Sequence, residues 1–192
     1  DPDLKPQNNK TWEVGLNLAF IKGRVEIDGT YFSEIATDQI FAVPVATSSG
    51  YSSILKNAGE LKNTGYELTL SANPVNISDF SWNVIANFTA YENEVVSLAP
   101  GVDNIFLGGF VEPNVRAFAG QSYPIIFGSR FLRDDSGNIV MDNRQFINGS
   151  PNPSYGMPVQ DPTNGPIGQV NPDFEIGLTN TFSYRGLTLN IH

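Results

Sequence analysis

The sequence contains no cysteine and a single histidine, His192, among its 192 residues. Without cysteine it can form neither a disulfide framework nor a thiolate metal site. With only one histidine it can form no histidine-rich metal site. A histidine-based catalytic triad is not expected either, because this histidine is the last residue of the sequence, where a strand is expected to continue. No apolar run approaches the roughly 20 residues that a membrane-spanning helix needs. If the chain crosses a membrane, it therefore crosses as β-strands.

Charge and motif content exclude further classes of function. The formal net charge is −9 at pH 7, which argues against a nucleic-acid partner because phosphate backbones bind basic surfaces. No nucleophile elbow, zinc-protease motif or phosphate-binding loop is present, so we expect no enzymatic activity and no cofactor. The segment RDDSGN (residues 133–138) lacks the spacing of a calcium-binding EF-hand and predicts a hairpin turn. We therefore expect no metal site.

Residues 11–32, TWEVGLNLAFIKGRVEIDGTYF, alternate between apolar and polar or small side chains on both sides of Lys22-Gly23-Arg24. This period of two predicts a β-hairpin. The apolar face of its first strand consists of Trp12, Val14, Leu16, Leu18 and Phe20. The same pattern recurs in residues 64–74, 80–93 and 173–192, with the prolines Pro74, Pro153, Pro158 and Pro172 expected outside the strands. We predict an all-β, antiparallel fold of about eight strands.

The predicted connections alternate in length. Short turns are expected within residues 22–24, 73–79 and 184–186, whereas residues 34–63, 92–114 and 137–172 are predicted as long loops. Loops of this size are uncommon in a compact domain. Short turns at one end and long loops at the other are typical of an outer-membrane barrel, so we expect all three long loops on one side.

The two faces of the predicted strands differ in chemistry. One face is apolar with aromatic residues towards the strand ends, as in the interfacial girdles of membrane barrels. The other face is small and polar, which suits a barrel lumen, and its acids are Glu13, Glu26, Asp28 and Glu67. An antiparallel sandwich with its apolar faces turned inwards gives the same alternation. The residues alone leave both readings open: a barrel wall, or a soluble β-sandwich binding module, for instance for carbohydrate.

Five distinctive segments follow one another along the chain: WEVGL (residues 12–16), TDQI (37–40), NAGELKNTGYELTL (57–70), FSWNVIANFT (80–89) and NPDFEIGLTNTFSYRGLTLNIH (171–192). Together they resemble the late-barrel region of SusC/RagA-like TonB-dependent outer-membrane transporters. The resemblance implies an antiparallel, up-and-down transmembrane β-barrel, of which residues 1–192 form part of one domain. Because such barrels have about 22 strands, we expect the plug domain and the rest of the barrel to be absent from this chain.

The resemblance also implies a function. It implies TonB-energised import of an oligosaccharide or peptide across the outer membrane of a Gram-negative bacterium. The implied partners are a SusD-like surface lipoprotein, the lipid bilayer, and TonB itself through the missing N-terminal part. Ligand contact is a hypothesis for three aromatic residues predicted in the long loops, because a sugar or peptide can stack on an exposed ring. They are Tyr51, Phe106 and Phe110, and packing of the loops on one another explains them equally well.

Overall fold

The structure, a computed structural model, describes residues 3–192. These residues form twelve strands and one short 3₁₀ turn at Thr47–Ser49. The strands are β1 (Asn8–Phe20), β2 (Val25–Pro44), β3 (Ser53–Ile77), β4 (Phe80–Leu98), β5 (Asn104–Gly109), β6 (Asn114–Phe118), β7 (Ile125–Gly128), β8 (Phe146–Ile147), β9 (Ser150–Pro151), β10 (Gly165–Gln169), β11 (Glu175–Tyr184) and β12 (Leu187–Ile191). Within this described part, no helix is long and apolar enough to span a membrane. The all-β prediction is confirmed, but the described residues form twelve strands where about eight were predicted, because the segment between β4 and β11 contains several short strands.

The main sheet has six strands in the order β1-β2-β3-β4-β11-β12, and every neighbouring pair is antiparallel. Apart from the segment between β4 and β11, the strands therefore follow chain order in an up-and-down meander. Three tight turns join them, at residues 21–24, 78–79 and 185–186. The first and third contain a glycine at positive φ, Gly23 and Gly186, a conformation that glycine adopts without steric cost.

All three tight turns lie at one end of the main sheet. Tyr184 pairs with Phe80, and Phe80 pairs with Ile77, so the second and third turns are neighbours. Val25, which follows the first turn, pairs with Ala72 near the same end of β3. Residues 45–52 and 99–174 emerge at the opposite end. The predicted separation of short turns from long loops is confirmed.

The strands of the main sheet extend further than predicted. β2 continues to Pro44 and β3 begins at Ser53, so the predicted loop 34–63 shrinks to residues 45–52. Similarly, β4 continues to Leu98 and β5 begins at Asn104, which leaves little of the predicted loop 92–114. The pairing of β2 with β3 contains register shifts between residues 36 and 40. Such bulges shift the alternation of faces. A strict alternation of apolar and polar residues therefore does not show that β2 and β3 continue past them.

The prediction that Pro74 lies outside a strand is wrong. β3 runs to Ile77, and Pro74 sits in it at a register shift between Ala72 and Val75. Because a bulge interrupts the ladder, the missing N–H of proline costs no pairing there. The predicted connection 73–79 is accordingly reduced to a two-residue turn, residues 78–79.

The residues between β4 and β11 form a loop layer at one end of the main sheet. Its larger sheet has the order β10-β7-β6-β5, and β8 pairs with β9 in a small hairpin. A buried apolar cluster joins this layer to the ends of β2, β3 and β4; its members are Val43, Ala58, Val95, Ile105 and Ala117. The core thus lies between strand ends and loops. It does not lie between two stacked sheets, as a sandwich requires.

Candidate functional site

The apolar face of the main sheet is uncovered in the part of the chain that the structure describes. Register places Leu16, Gly29, Leu68, Phe88 and Ile176 in one row across five strands. The outermost members are the most open: Leu16 is 61% exposed and Ile176 is 68% exposed. A contiguous apolar surface of this kind marks an interface with apolar material.

Aromatic side chains form two groups on this face. Towards the loop end, the ring of Tyr31 lies 5.2 Å from Trp12 and 4.9 Å from Tyr66, measured between centroids. Towards the turn end, Trp82 stacks on Phe182 at 5.7 Å. The two groups are about nine residues apart along β3, or roughly 30 Å along the strand. For a tilted strand this matches the roughly 25 Å apolar band of a membrane barrel and its two aromatic girdles.

The opposite face of the main sheet is a network of polar cross-strand contacts. The Asn17 side-chain amide donates to Asp28 at 3.1 Å, and the Thr69 hydroxyl donates to Asn87 at 3.0 Å. These four residues lie in one row. Farther along, the Thr181 hydroxyl donates to the Asn190 side-chain oxygen at 2.9 Å. This chemistry suits a water-facing lumen. The predicted lumen acids share this face: Glu26, Asp28 and Glu67 pair in register with Ser71, Thr69 and Thr89, and Glu13 pairs with Phe32 two rows from Thr30.

Two buried acceptors lie where this polar face meets the loop layer. Asn63 and Asn93 pair in register, and Glu34 pairs with Asn63 in the same row. The side-chain oxygens of both asparagines are buried and have no hydrogen-bond partner among residues 3–192. They remain available to a water or a polar ligand that carries donors. Sequence reasoning missed this row, because only the long-range pairing of β3 with β4 brings the two asparagines together.

A carboxylate–guanidinium pair holds the outer part of the loop layer together. Arg144 binds both oxygens of Asp142, at 2.9 and 2.7 Å, and the Asn152 amide donates to the Arg144 carbonyl oxygen at 2.7 Å. Asp142 and Asn152 are buried. Hydrogen bonds from the side chains of Arg144 and then Asn152 hold the pKa of Asp142 far below its usual range. The pair therefore stays ionised at every ordinary pH.

Removing this charge is expected to loosen the loop layer locally. In an Asp142→Asn variant, the amides of residues 142–157 should exchange with solvent deuterium roughly tenfold faster or more, because charge-assisted hydrogen bonds are lost. Hydrogen exchange read by mass spectrometry on the detergent-purified full-length protein measures this. An Asp135→Asn variant in the neighbouring exposed turn is the matched control. Equal exchange in the two variants would show that the pair does not order the loop.

The pH dependence of the same loop follows from the sign of the shift. Because the folded pKa of Asp142 is depressed, the stability it contributes is present above the unfolded value of about 3.9 and is lost as the pH drops towards the folded value. In the unmodified protein, the protection of the amides of residues 142–157 against deuterium exchange should thus be constant between pH 7 and pH 5, after correction for the pH dependence of intrinsic exchange. It should decline only in stronger acid.

Two clefts open in the loop layer. The larger, about 710 Å³, is lined by Ser129, Arg130, Phe131, Leu132, Arg133, Gln160, Asp161, Pro166 and Ile167. The smaller, about 450 Å³, lies where β4 meets the residues before β11 and includes Asn93 and the acidic residues Glu92, Glu94 and Asp173. Neither could be found from the sequence, since each is formed by segments that lie far apart along the chain.

The three aromatic residues predicted to contact ligand are exposed but lie on two separate segments. Tyr51 follows the 3₁₀ turn between β2 and β3 and is 69% exposed. Phe106 lies in β5, paired with Arg116, and not in a loop as predicted. Phe110 follows β5 and is 80% exposed. Neither cleft includes any of the three, and their ligand contact stays a prediction.

An antiparallel meander with an uncovered apolar face, a polar face and its loops at one end is a section of a transmembrane β-barrel wall. Residues 1–157 match the family model described as TonB dependent receptor-like, beta-barrel. The chain belongs to this family. The resemblance to TonB-dependent transporters that the sequence motifs indicated is confirmed.

Curated relatives support this assignment over nearly the whole chain. TonB-dependent receptor P3 of Formosa agariphila is 26% identical over 202 residues, which cover 98% of this chain and 20% of the relative. TonB-dependent receptor SusC of Bacteroides thetaiotaomicron is 35% identical over 107 residues, 53% of this chain and 10% of the relative. The chain therefore spans about a fifth of the length of the first of these relatives.

Solved structures agree on the fold. The RagAB peptide transporter matches with a TM-score of 0.75 and 20% identity, over 99% of this chain and 21% of that chain. The same complex in a state described as open-open matches with a TM-score of 0.72. At this identity the likeness establishes the fold of the chain.

Proposed function

We propose that this chain forms wall and loop layer of a transporter that imports an oligosaccharide or peptide across the outer membrane of a Gram-negative bacterium, driven through TonB. The observation that carries the proposal is the opposed chemistry of the two faces of the main sheet. An apolar face with Leu16 and Ile176 open to the surroundings suits lipid. A face of cross-strand polar contacts suits a hydrated lumen. A soluble binding module would need its apolar face covered.

The domain and partner assignments belong to the same proposal. Residues 1–192 constitute part of a single barrel domain, since the first curated relatives are about five times longer than the stretch they share with this chain. A plug domain in the remaining length would gate the lumen and bind TonB. A SusD-like surface lipoprotein would sit over the loop layer, which projects from one end of the sheet. The transporter releases its substrate chemically unchanged.

Expression of the complete gene tests the proposal. The full-length protein should appear in the outer-membrane fraction and migrate differently on a gel before and after boiling, because a folded barrel resists detergent. Purified in mild detergent, it should bring the lipoprotein with it. A full-length protein that stays soluble without detergent would contradict the barrel, and reproducible purification without the lipoprotein would contradict the partner alone.

A further inference from the structure

The larger cleft of the loop layer has rigid walls. The chain leaves β7 at Gly128 and runs antiparallel to residues 159–161. The amide of Leu132 donates to the Val159 carbonyl oxygen at 2.8 Å, and the amide of Asp161 donates to the Arg130 carbonyl oxygen at 2.9 Å. Because backbone hydrogen bonds fix both sides, the cleft of about 710 Å³ exists before any ligand arrives.

Arg130 is held in one orientation inside this cleft. Its Nε donates to the Asp161 carboxylate at 2.9 Å. Its guanidinium also lies against Gly165, where an added Cβ would come within 2.6 Å of the Arg130 Cζ atom. Asp161 is itself fixed, since the backbone amide and the hydroxyl of Thr163 donate to it at 2.9 and 2.7 Å. These two hydrogen bonds, ahead of Arg130, lower the pKa of Asp161.

The outer nitrogens of Arg130 are unused. Within residues 3–192 its hydrogen bonds go through Nε alone, so Nη1 and Nη2 keep their donors free. The side chain remains 42% exposed. Nη1 packs against Gly165, and a guanidinium whose Nε is occupied can still bind a carboxylate through its remaining N–H groups.

A second arginine lines the same cleft. Arg133 is exposed, and its Nη1 donates to the Gly137 carbonyl oxygen at 2.6 Å in the turn that follows. Both arginines line the cleft together with Asp161, and Glu112 lies at its edge beside Gly128, so positive and negative charges balance there. The two carboxylates already have partners, because Arg130 and Thr163 donate to Asp161 and Ser129 and Asn164 donate to Glu112. The arginines keep unused donors, which favours an anionic group on the ligand.

The other residues that line the larger cleft indicate which chemical groups the ligand carries besides its anionic group. Phe131 and Ile167 line the cleft and are 51% and 47% exposed, so apolar surface lies beside the arginine donors. The uncharged polar side chains in the lining are Ser129 and Gln160, too few to satisfy the many hydroxyls of a sugar. An acidic peptide carries a carboxylate and apolar side chains on one short backbone. It fits this lining better than a uronic-acid oligosaccharide does.

We propose that the cleft between Arg130 and Ile167 is a binding site for a carboxylate group of an acidic peptide. This inference rests on the proposed import function and specifies its substrate class. Arg130 binds the carboxylate as a planar fork, Arg133 adds charge at the rim, and Phe131 packs against a neighbouring apolar side chain.

The test compares three variants of the full-length transporter, purified in detergent with its lipoprotein. The probe is a fluorescent, acetylated tetrapeptide that contains glutamate and phenylalanine and has a free C-terminus. Its neutral counterpart has glutamine and a C-terminal amide. We expect R130Q to weaken binding of the acidic probe, measured by anisotropy, by roughly tenfold or more, and to leave the neutral probe unchanged. R130K should bind the acidic probe almost as weakly as R130Q does, because lysine lacks the planar pair of donors that arginine has. R185Q is the matched control, since Arg185 lies at the turn end of the sheet and pairs with Asp79.

Each other outcome overturns the inference. Equal loss for both probes, no loss in R130Q, or no binding of the acidic probe to the unmodified transporter excludes a carboxylate site at Arg130. Binding of a fluorescent oligogalacturonate that R130Q weakens, with no binding of the acidic peptide, assigns the cleft to acidic sugars instead. Heat-dependent gel migration and TonB-dependent uptake are measured in parallel. If both are normal while substitution of Arg130 leaves binding of the acidic probe unchanged, the proposed site is wrong and the import function stands.

Discussion

Replacing Leu70 with arginine is expected to destabilise the barrel by about 2–4 kcal/mol. Leu70 pairs with Ile27 and Ala86 in a row that begins at Leu18 and ends at Leu178. Along β3 it lies midway between the two aromatic groups, so its side chain points at the centre of the hydrocarbon band. A charge at this depth loses its hydration without gaining a partner. Denaturant unfolding of the full-length protein in lipid vesicles measures the cost.

Thr69→Arg is the matched control on the polar face. Thr69 pairs with Asp28 and Asn87, so an arginine there meets water and a carboxylate and should cost much less. A spin label on a cysteine at position 70 is the second measurement, and the natural absence of cysteine makes the labelling specific. The label should be accessible to oxygen and shielded from a polar relaxation agent. A label inaccessible to both would place Leu70 in a protein core and contradict the barrel wall.

Gly65→Ala is expected to destabilise the protein by about 1–3 kcal/mol through overpacking. Gly65 lies in β3, where an added Cβ would come 2.7 Å from Phe32 Cζ and 2.8 Å from both the Ala90 carbonyl oxygen and the Tyr91 Cβ. The Phe32 ring can rotate away, but the carbonyl oxygen and the Cβ are attached to the backbone of β4. The strands must then separate locally, and a larger residue such as valine should prevent assembly.

Gly15→Ala provides the comparison for this effect. Gly15 also lies in a strand of the main sheet, but an added Cβ would meet nothing closer than the Thr30 hydroxyl at 3.5 Å, an ordinary contact. The unfolding midpoint in urea, with the slope unchanged, reports both variants. If the two alanines cost the same, the close approach of Phe32 and β4 to Gly65 does not constrain the sheet.

The sequence predicted the parts of this fold that depend on neighbours along the chain. The hairpin of β1 and β2 and the turn at Arg185-Gly186 were found because alternation and turn chemistry are local signals. The extension of β2 beyond residue 36 was missed, because bulges shift the phase of the alternation. The prediction for Pro74 is wrong because the rule that excludes proline from strands does not apply at a bulge, and no local pattern marks the bulge.

The candidate sites depend on contacts that no local pattern contains. Arg130 and Asp161 are 31 residues apart, and neither the pair nor Gly165 beneath it follows a motif. Asn63 and Asn93 meet only through the pairing of β3 with β4. Exposed aromatics were the one available signal for ligand contact, and they led to Tyr51 and Phe110, which line neither cleft.

The buried cluster at the loop end decides where this protein can be divided for engineering. Val43, Ala58 and Val95 come from the strands, whereas Ile105 and Ala117 come from the loop layer, so the two parts share one interior. A chimaera that exchanges loops at the visible strand ends would cut through this interior and pair mismatched halves. The graft should instead include the loop-end residues of β2, β3 and β4. It should be joined to the sheet on the turn side of Ala36, where the pairing of β2 with β3 is regular and tolerates a new neighbour.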